Sequence, residues 1–358
     1  MKGSNQISSD NLTFYRVVAM TMVVLYHCTC YYAHPTWPFG EGPYNPVLKI
    51  ITTLMGGIHM PVFVFISGYL YWMLKRKGHY DDLLLFYKNK ILRILVPYFV
   101  MGGVMLIMFN NIYHLSSLLY GICHLWFLLM LFGLFILAPI VWHLMERIKN
   151  DRIATVVVNA SFLLYPMFCD VNLFQITKVF YFLPFFLIGY IIQRRGKKEV
   201  YSDSVFWLSI VLVMIILFIF CHRTLFIDKV IREFASYFVI IIVSVIPNTN
   251  IPNKIKRIMN NFSDNSMGIY LIHHVIISYV VMMPSVKQFI DNTNSYTGAL
   301  LLFVSVFASS WFLGFLGTPD KPCGGSVDAN PKTCCQTIHD CQKVVPLHYE
   351  SEWQYKYV

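Results

Sequence analysis

Long apolar stretches recur along the whole of this sequence and constrain its fold more than any other feature. Crossing the hydrocarbon core of a bilayer takes about 20 apolar residues in a helix. A chain inside lipid must also satisfy its backbone hydrogen bonds internally, and a helix does so. Ten stretches approach this length, near residues 13–33, 54–74, 95–113, 121–142, 153–169, 177–193, 205–221, 231–247, 266–283 and 298–316. The pattern predicts an all-α integral membrane protein with about ten transmembrane helices.

The composition excludes an ordinary soluble domain. Hydrophobic residues make up 57% of the 358 residues and charged residues only 13%, whereas soluble domains average about 45–50% and about 25%. Aromatic residues reach 16%, as expected where Phe, Trp and Tyr face lipid and line both membrane interfaces. The chain is therefore expected to cross the membrane several times.

Lysine and arginine are distributed unequally between alternate loops. Sixteen of them fall in the loops 75–93, 143–152, 194–204 and 248–265. Only six fall in the intervening loops 34–53, 114–120, 170–178, 222–232 and 284–297. Because cytoplasmic loops carry the excess of Lys and Arg, both termini are predicted to be cytoplasmic. Topology then accounts for the net charge of +10, and no nucleic-acid partner is expected.

These boundaries divide the chain into three parts. Residues 1–12 form a cytoplasmic N-terminal segment, 13–316 a membrane domain, and 317–358 a polar C-terminal tail. The tail holds four cysteines, Cys323, Cys334, Cys335 and Cys341. Their spacing is irregular, whereas zinc sites pair their cysteines two to four residues apart, and a cytoplasmic location disfavours disulfides. We expect a disordered tail, with no metal in the protein.

The first apolar stretch contains two ionisable residues, Arg16 and His27. Eleven residues of helix rise ~16 Å and return almost to the starting angle, so both side chains share one face. Ionisable groups inside a bilayer cost several kcal/mol and usually have a function. Arg16 is predicted near the cytoplasmic end, and His27 deeper, toward the outer half. A structural histidine bonded to a neighbouring helix is the alternative for His27.

Further polar residues interrupt later apolar stretches, and each has a structural alternative. Ser67 and its neighbour Gly68 are equally compatible with close helix packing and with a functional role. Arg93 can extend to the headgroups or bind an anionic ligand. His124 is predicted at the outer face, whereas Tyr270 and His273 are predicted in the inner half. A single histidine in such a position is more often structural than catalytic.

Six of these stretches, in this order, resemble the integral membrane acyltransferases of family 3. Arg16 and His27 reproduce the R-x10-H signature of that family. The other five are FVFISGYL at 63–70, RILVP at 93–97, HLWFL at 124–128, FLPFFLIGY at 182–190 and GIYLIH at 268–273. The resemblance covers about residues 10–316, and the tail departs from it.

The resemblance implies an enzyme that O-acetylates a cell-surface carbohydrate. Acetyl-CoA or another acyl-CoA would be the donor substrate, and a carbohydrate or lipid-linked glycan hydroxyl the acceptor, in a bacterial inner membrane whose lipid surrounds the protein. The expected catalytic residues are His27, Arg16 and His124, with His27 as general base. The expected donor-binding residues are Arg16, Arg93, Ser67, Tyr270 and His273.

Elementary chemistry agrees with this division of roles. Coenzyme A carries phosphates and cannot cross the bilayer, so cations at the cytoplasmic face are needed to hold it. A hydroxyl needs a base to become a good nucleophile, and a neutral histidine can supply it near pH 7. A transporter, or a polytopic scaffold or receptor, would also place polar residues in apolar helices. The ordered motifs favour the acyltransferase over both.

Overall fold

A computed structural model describes residues 6–33, 40–168, 172–220, 236–237, 240–241 and 251–316. Within these ranges the regular elements are helices, and none is a strand. We number those of eight or more residues, except a 3₁₀ segment noted below: α1 (Ser9–Ala33), α2 (Pro46–Arg76), α3 (Leu83–Met108), α4 (Cys123–Arg147), α5 (Asp151–Ala160), α6 (Leu173–Arg195), α7 (Ser204–Phe220), α8 (Asn253–Asp264), α9 (Ser266–Met282), α10 (Pro284–Asn292) and α11 (Ser295–Leu316). The all-helical prediction is confirmed for the described residues.

Side chains at the helix starts explain where several helices begin. The Asn45 side chain accepts hydrogen bonds from the first backbone amides of α2, whose first residue is Pro46. Asparagine at the cap and proline at the first position are both preferred there. Asp82 caps α3 and Asn150 caps α5 in the same way. These caps place the polar loop residues outside the apolar helices.

Six described helices are long and apolar enough to cross a membrane: α1, α2, α3, α4, α6 and α11. The pair α8 and α9 makes a seventh if it counts as one span, although it bends by 64° at the break. The predicted number of ten is therefore not confirmed within the described part of the chain. Which side of the membrane each terminus occupies stays a prediction.

Three of the ten predicted stretches account for the difference between ten predicted spans and the seven found when α8 and α9 count as one. The stretch 153–169 does not form one spanning helix, because α5 ends at Ala160 and a 3₁₀ segment follows over Ser161–Phe168. The stretch 205–221 forms α7, a shorter apolar helix. Most of 231–247 lies outside the described residues, as does the tail 317–358.

Helix α2 packs between α1 and α6, and its crossing with α6 depends on glycine. A Cβ on Gly68 would run into the backbone of Phe186, and a Cβ on Gly189 would run into the backbone of Tyr69. The Trp72 indole donates to the Phe186 carbonyl at 3.2 Å. Small residues let membrane helices approach this closely. Gly68 is therefore a packing residue, the structural alternative that the sequence left open.

One end of the helix bundle gathers positively charged residues, and we call it the basic end. It holds the last turns of α2 and α6, with Arg76 donating to the Gln193 carbonyl at 2.9 Å. The start of α1 lies at the same end, where Asp10 pairs with Lys256 of α8 at 2.7 Å. The loops 75–93 and 194–204, both predicted to be cytoplasmic, thus lie on one side of the bundle.

Arg195 and Asp203 form a buried ion pair at the basic end. Their side chains approach to 2.6 Å, and Arg195 also donates to the Thr155 hydroxyl of α5 at 2.9 Å. Asp203 in addition accepts the Val205 amide at the start of α7. The hydrogen bond from Arg195 lowers the pKa of the Asp203 carboxyl below its ordinary value. The pair thereby connects α5, α6 and α7.

We expect Gly68→Ala to lower the midpoint of thermal unfolding in detergent. The added methyl group would overlap the α6 backbone, and overpacking of this kind costs about 1–3 kcal/mol. Gly103→Ala is the matched control, because a Cβ on this helical glycine meets no atom within 4 Å. The packing role of Gly68 is refuted if the two variants unfold at the same temperature.

We expect Asp203→Asn to destabilise the protein at neutral pH by about 1–3 kcal/mol, because Arg195 loses its charged partner. A carboxyl with a lowered native pKa stabilises the fold above its unfolded pKa of about 3.9. That contribution is lost as the pH falls through the native pKa. The difference in unfolding midpoint between parent and variant should therefore be full at about pH 6 and shrink as the pH falls below about 4. Asp81→Asn is the control, since the Lys75–Asp81 pair has an aspartate that is 73% exposed and such pairs contribute little.

Candidate functional site: a buried histidine cluster

Five buried histidines meet inside the bundle, and we call them the histidine cluster. They are His27 of α1, His59 of α2, His124 at the start of α4, and His273 and His274 of α9. All five are at most 7% exposed. The His27 ring centroid lies 5.0 Å from that of His273 and 4.9 Å from that of His274. The cluster joins helices that are far apart in the sequence.

Backbone carbonyls fix the protonation pattern of His27 and His273. The Nδ1 atom of His27 lies 2.9 Å from the Val23 carbonyl oxygen, and Nδ1 of His273 lies 2.9 Å from that of Ile269. A carbonyl only accepts hydrogen bonds, so in each neutral ring the proton is on Nδ1. The remaining ring nitrogen, Nε2, then carries a lone pair in both residues.

The two rings also contact each other in a way that agrees with this assignment. His273 Nε2 lies 3.2 Å from His27 Nδ1, so the N–H of His27 is shared between the Val23 carbonyl and the His273 lone pair. His27 Nε2 is left as the basic nitrogen of that ring. This arrangement matches the requirement for a general base, a neutral imidazole whose orientation is fixed by its other nitrogen.

His124, His274 and Cys123 form the second half of the site. The imidazole rings of His124 and His274 stack with centroids 4.7 Å apart and planes 7° apart. The Cys123 sulfur lies 3.0 Å from His274 Nε2. Within the described part of the chain, neither ring nitrogen of the buried His124 has a partner in good hydrogen-bond geometry. Unpaired polar atoms of this kind are rare in protein interiors.

An unusual turn at the start of α4 presents these residues to α9. Gly121 has φ +83° and Cys123 has φ +44°, values in the left-handed region that suits glycine but not cysteine. A Cβ on Gly121 would meet the Trp126 backbone at 2.8 Å. The Tyr270 hydroxyl donates to the His124 carbonyl oxygen and ties the turn to α9. Cys123 and His124 are thus held against the face of α9 that carries His273 and His274.

Cys123, His124 and His274 could also hold a metal ion, since one ligand atom from each lies within 4.8 Å of the others. Thiolate and imidazole are the ligands that zinc prefers. Sequence alone does not predict this group, because His274 lies 151 residues after Cys123 along the chain. The expectation that the protein uses no metal stays a prediction.

The structure brings four of the predicted site residues together: His27, His124, Tyr270 and His273. The His124 ring centroid lies 5.1 Å from that of His273 and 5.3 Å from that of Tyr270. The prediction that His124 lies at the outer face and the other two in the inner half is therefore wrong. Hydropathy assigned each stretch its own depth, but residues in contact share one depth.

Three predicted residues lie apart from the cluster, nearer the basic end. Arg16 donates to the Ser263 hydroxyl at 3.1 Å, at the end of α8. It lies ~16 Å below His27 by helix rise. Arg93 is exposed on the π-helical turn of α3. Ser67 is half-buried on α2, eight residues beyond His59 toward the basic end. Their predicted roles in donor binding are compatible with these positions.

Sequence reasoning did not select His59, Cys123 or His274 as site residues. His59 has its ring beside that of Tyr26, the neighbour of His27, with centroids 5.1 Å apart. Two signals were present in the sequence, the adjacent histidines at 273–274 and the cysteine before the HLWFL stretch. Neither identifies a partner, because the contacts that matter connect separate helices.

Comparison with known proteins places this chain among membrane enzymes. A family model described as an acyltransferase domain, acyltransferase family 3, matches residues 10–315. Searches of curated proteins and of solved structures gave no match. Together with the apolar helices, the family indicates a multi-pass integral membrane protein. The division into three parts at residues 12 and 316 stays a prediction.

Proposed function

The chain belongs to acyltransferase family 3, and from that premise we propose that it O-acetylates a carbohydrate. An acyl group, acetyl in the first instance, moves from acyl-CoA at the basic end to a hydroxyl of a cell-surface carbohydrate or lipid-linked glycan. The membrane is the bacterial inner membrane. The main support for this proposal is the environment of His27, a buried imidazole whose Nδ1 proton is held by the Val23 carbonyl.

His27 acts as the general base toward the acceptor hydroxyl. Its Nε2 lone pair can take the hydroxyl proton as the oxygen attacks the acyl carbonyl. His273 and the Val23 carbonyl both contact Nδ1 of His27, so they stabilise the imidazolium that forms. A structural histidine would need only one of these bonds. The paired contacts support the catalytic role.

The donor binds with its phosphates at the basic end. Coenzyme A is elongated, with phosphates at one end and the thioester at the other, so its reactive atom can lie far from its charges. Arg16 is on the face of α1 that carries His27, and it lies between the basic end and the cluster. Arginine grips phosphate through two parallel N–H bonds. Arg93 is exposed on α3 and adds a second cation for the donor.

The acceptor approaches from the other end of the bundle. His27 lies eighteen residues after the start of α1 and six before its end, which places it farther from the basic end than from the opposite end. Donor and acceptor can therefore reach the cluster from opposite directions. This separation suits a carbohydrate presented outside the cytoplasm. A transporter would have no need for an acyl donor, and the family favours the enzyme.

We expect His27→Gln to abolish acyl transfer while leaving donor binding intact. An amide can retain hydrogen bonds but cannot act as a base, and general acid–base catalysis is worth roughly 10²–10⁴ in rate, or about 3–5 kcal/mol of barrier. The measurement is transfer of labelled acetyl from acetyl-CoA to surface polysaccharide by the purified protein in vesicles, with and without the variant.

The control for this experiment is His143→Gln, the same substitution on the exposed part of α4. It should leave transfer unchanged. A folded His27→Gln protein that transfers acetyl within a few-fold of the parent would exclude His27 as the base. The role would then pass to His124 or His273. A parent protein that moves no acyl group from any acyl-CoA would refute the function itself.

We expect Arg16→Ala to weaken binding of coenzyme A, and Arg16→Lys to restore it only in part. Lysine keeps the charge but lacks the planar fork that contacts phosphate at two points. The measurement is the Kd of coenzyme A by calorimetry with purified protein. Lys49→Ala removes the same charge from the exposed start of α2, away from the basic end, and should not change the Kd. Equal affinity in the parent and both Arg16 variants would remove Arg16 from the donor site.

A further inference from the structure

Cys123 and His274 have no role in the mechanism above, yet they meet beside His27. We propose that Cys123 is the nucleophile that takes the acyl group from the donor, and that His274 is its base. The acyl group then rests on the protein as a Cys123 thioester before it reaches the acceptor. This inference rests on the proposed function, because it needs an acyl-CoA donor.

Hydrogen bonding around His274 assigns it the tautomer of a base. The Ser278 hydroxyl lies 2.8 Å from the His274 carbonyl oxygen, to which it can only donate. The same Ser278 oxygen lies 3.2 Å from His274 Nδ1, and it accepts the Nδ1 proton. His274 Nε2 therefore carries the lone pair, and it is the ring nitrogen nearest to the Cys123 sulfur, at 3.0 Å. A nucleophile, its base and a group that orients the base occur here in the order typical of cysteine catalysis.

The thiol approaches the ring obliquely. Its sulfur is 3.0 Å from Nε2 and also close to Nδ1, at 3.6 Å. A sulfur along the Nε2 lone pair would be much farther from Nδ1, so this sulfur lies toward the ring face. Catalytic hydrogen bonds are often long or misaligned before substrate binds. The structure therefore holds the pair at reacting distance without holding it in the reacting orientation.

His124 can donate the hydrogen bond that the acyl carbonyl oxygen would need during the attack. It is 2% exposed, and neither of its ring nitrogens has a partner in good hydrogen-bond geometry among the described residues. In the neutral ring one of these nitrogens carries a proton, and no described residue accepts it in good hydrogen-bond geometry. A negative charge develops on the carbonyl oxygen when the thiolate attacks, and such a donor stabilises it. The unmet hydrogen bond thus points to a ligand oxygen beside Cys123.

The backbone at Cys123 adds an independent observation. Its φ of +44° is a conformation that side chains with a Cβ rarely adopt, and residues held in this way cluster at functional sites. The turn leaves Cys123 partly exposed, whereas Cys28 and Cys30, the other cysteines within the described residues, are buried. Cys123 is thus the described thiol that a substrate can reach.

The chemistry balances in two steps. In the first, Cys123 gives its proton to His274 Nε2 and its sulfur attacks the acyl carbonyl of acyl-CoA. The carbon–sulfur bond to coenzyme A breaks, and the coenzyme A sulfur takes the proton from His274. One thioester replaces another, so the step needs no energy source.

In the second step, His27 takes the proton of the acceptor hydroxyl and the oxygen attacks the Cys123 thioester. The Cys123 sulfur leaves with the electron pair. The proton held by His27 returns to that sulfur through His274, whose ring centroid lies 4.9 Å from that of His27. The two histidines thus serve two different proton transfers.

A metal ion on Cys123, His124 and His274 is the competing use of the same residues. Ligands of zinc surround it tetrahedrally, so their lone pairs must converge on one point. The rings of His124 and His274 are almost parallel, with planes 7° apart. The nitrogen lone pairs of the two imidazoles lie in these parallel planes, so they cannot both point at one metal ion between the rings. The geometry therefore favours the covalent role.

Trapping the acyl-enzyme tests the proposal. The purified full chain is mixed with radiolabelled acetyl-CoA in the absence of acceptor, quenched with acid and digested. We expect close to one label per chain, on the peptide that contains Cys123, and released by neutral hydroxylamine as thioesters are. Cys123→Ala should carry no label and transfer at least ~100-fold more slowly, with coenzyme A binding unchanged.

Two further variants separate a chemical role from a structural one. Cys123→Ser keeps the shape of the side chain and should form an ester slowly, one that neutral hydroxylamine does not release. Cys28→Ser changes a buried cysteine of α1 that is 0% exposed, and it should label and transfer as the parent does. The label then depends on the thiol at position 123 and not on the number of cysteines.

Three outcomes would overturn the inference. Transfer by folded Cys123→Ala within a few-fold of the parent removes the intermediate and leaves the proposed function intact. One equivalent of zinc in the parent, lost in Cys123→Ala, assigns these residues to a metal. A parent that neither labels nor transfers with any acyl-CoA refutes the proposed function, and the inference with it.

Discussion

The site depends on one interaction that occurs three times, a histidine Nδ1 bonded to the carbonyl four residues earlier on its own helix. His27, His59 and His273 each make it, with Val23, Met55 and Ile269 respectively. Each bond satisfies a polar atom that apolar surroundings would otherwise penalise. It also fixes which nitrogen carries the proton. Three rings are thereby held in one tautomer before any substrate arrives, and in each of them Nε2 is the basic nitrogen.

Helix α1 connects this chemistry to the charged end of the bundle. Arg16 and His27 share a face but are separated by about three turns, so one rigid helix carries both the proposed donor-binding cation and the proposed base. The end of α8 holds Arg16 through Ser263, and helix carboxyl ends favour cations. The bend between α8 and α9 brings the C-terminal end of α8 toward α1, while α9 continues to the histidine cluster. Two helices, α1 and α9, thus run between the proposed donor site and the histidine cluster.

The sequence predicted those features that depend on local pattern. The apolar stretches gave the helices, and the spacing of Arg16 and His27 gave their common face. The ordered motifs indicated the family. Contacts between remote segments could not be predicted, because hydropathy carries no information about which helices meet. Cys123 and His274 lie 151 residues apart, and only the fold shows that they touch. The length of an apolar stretch was also a poor guide to spanning, since the stretch 153–169 divides after Ala160 into α5 and a 3₁₀ segment.

The contact between Gly68 and Gly189 limits how this sequence can change over evolutionary time. In most packed interfaces, a larger residue on one helix can be accommodated when its neighbour becomes smaller. Here the obstacle to a side chain at either position is the backbone of the opposite helix, and neither glycine has a side chain to lose. No second substitution on the facing helix can make room. A lineage could leave glycine at these positions only by moving α2 away from α6, and α2 carries His59 into the cluster.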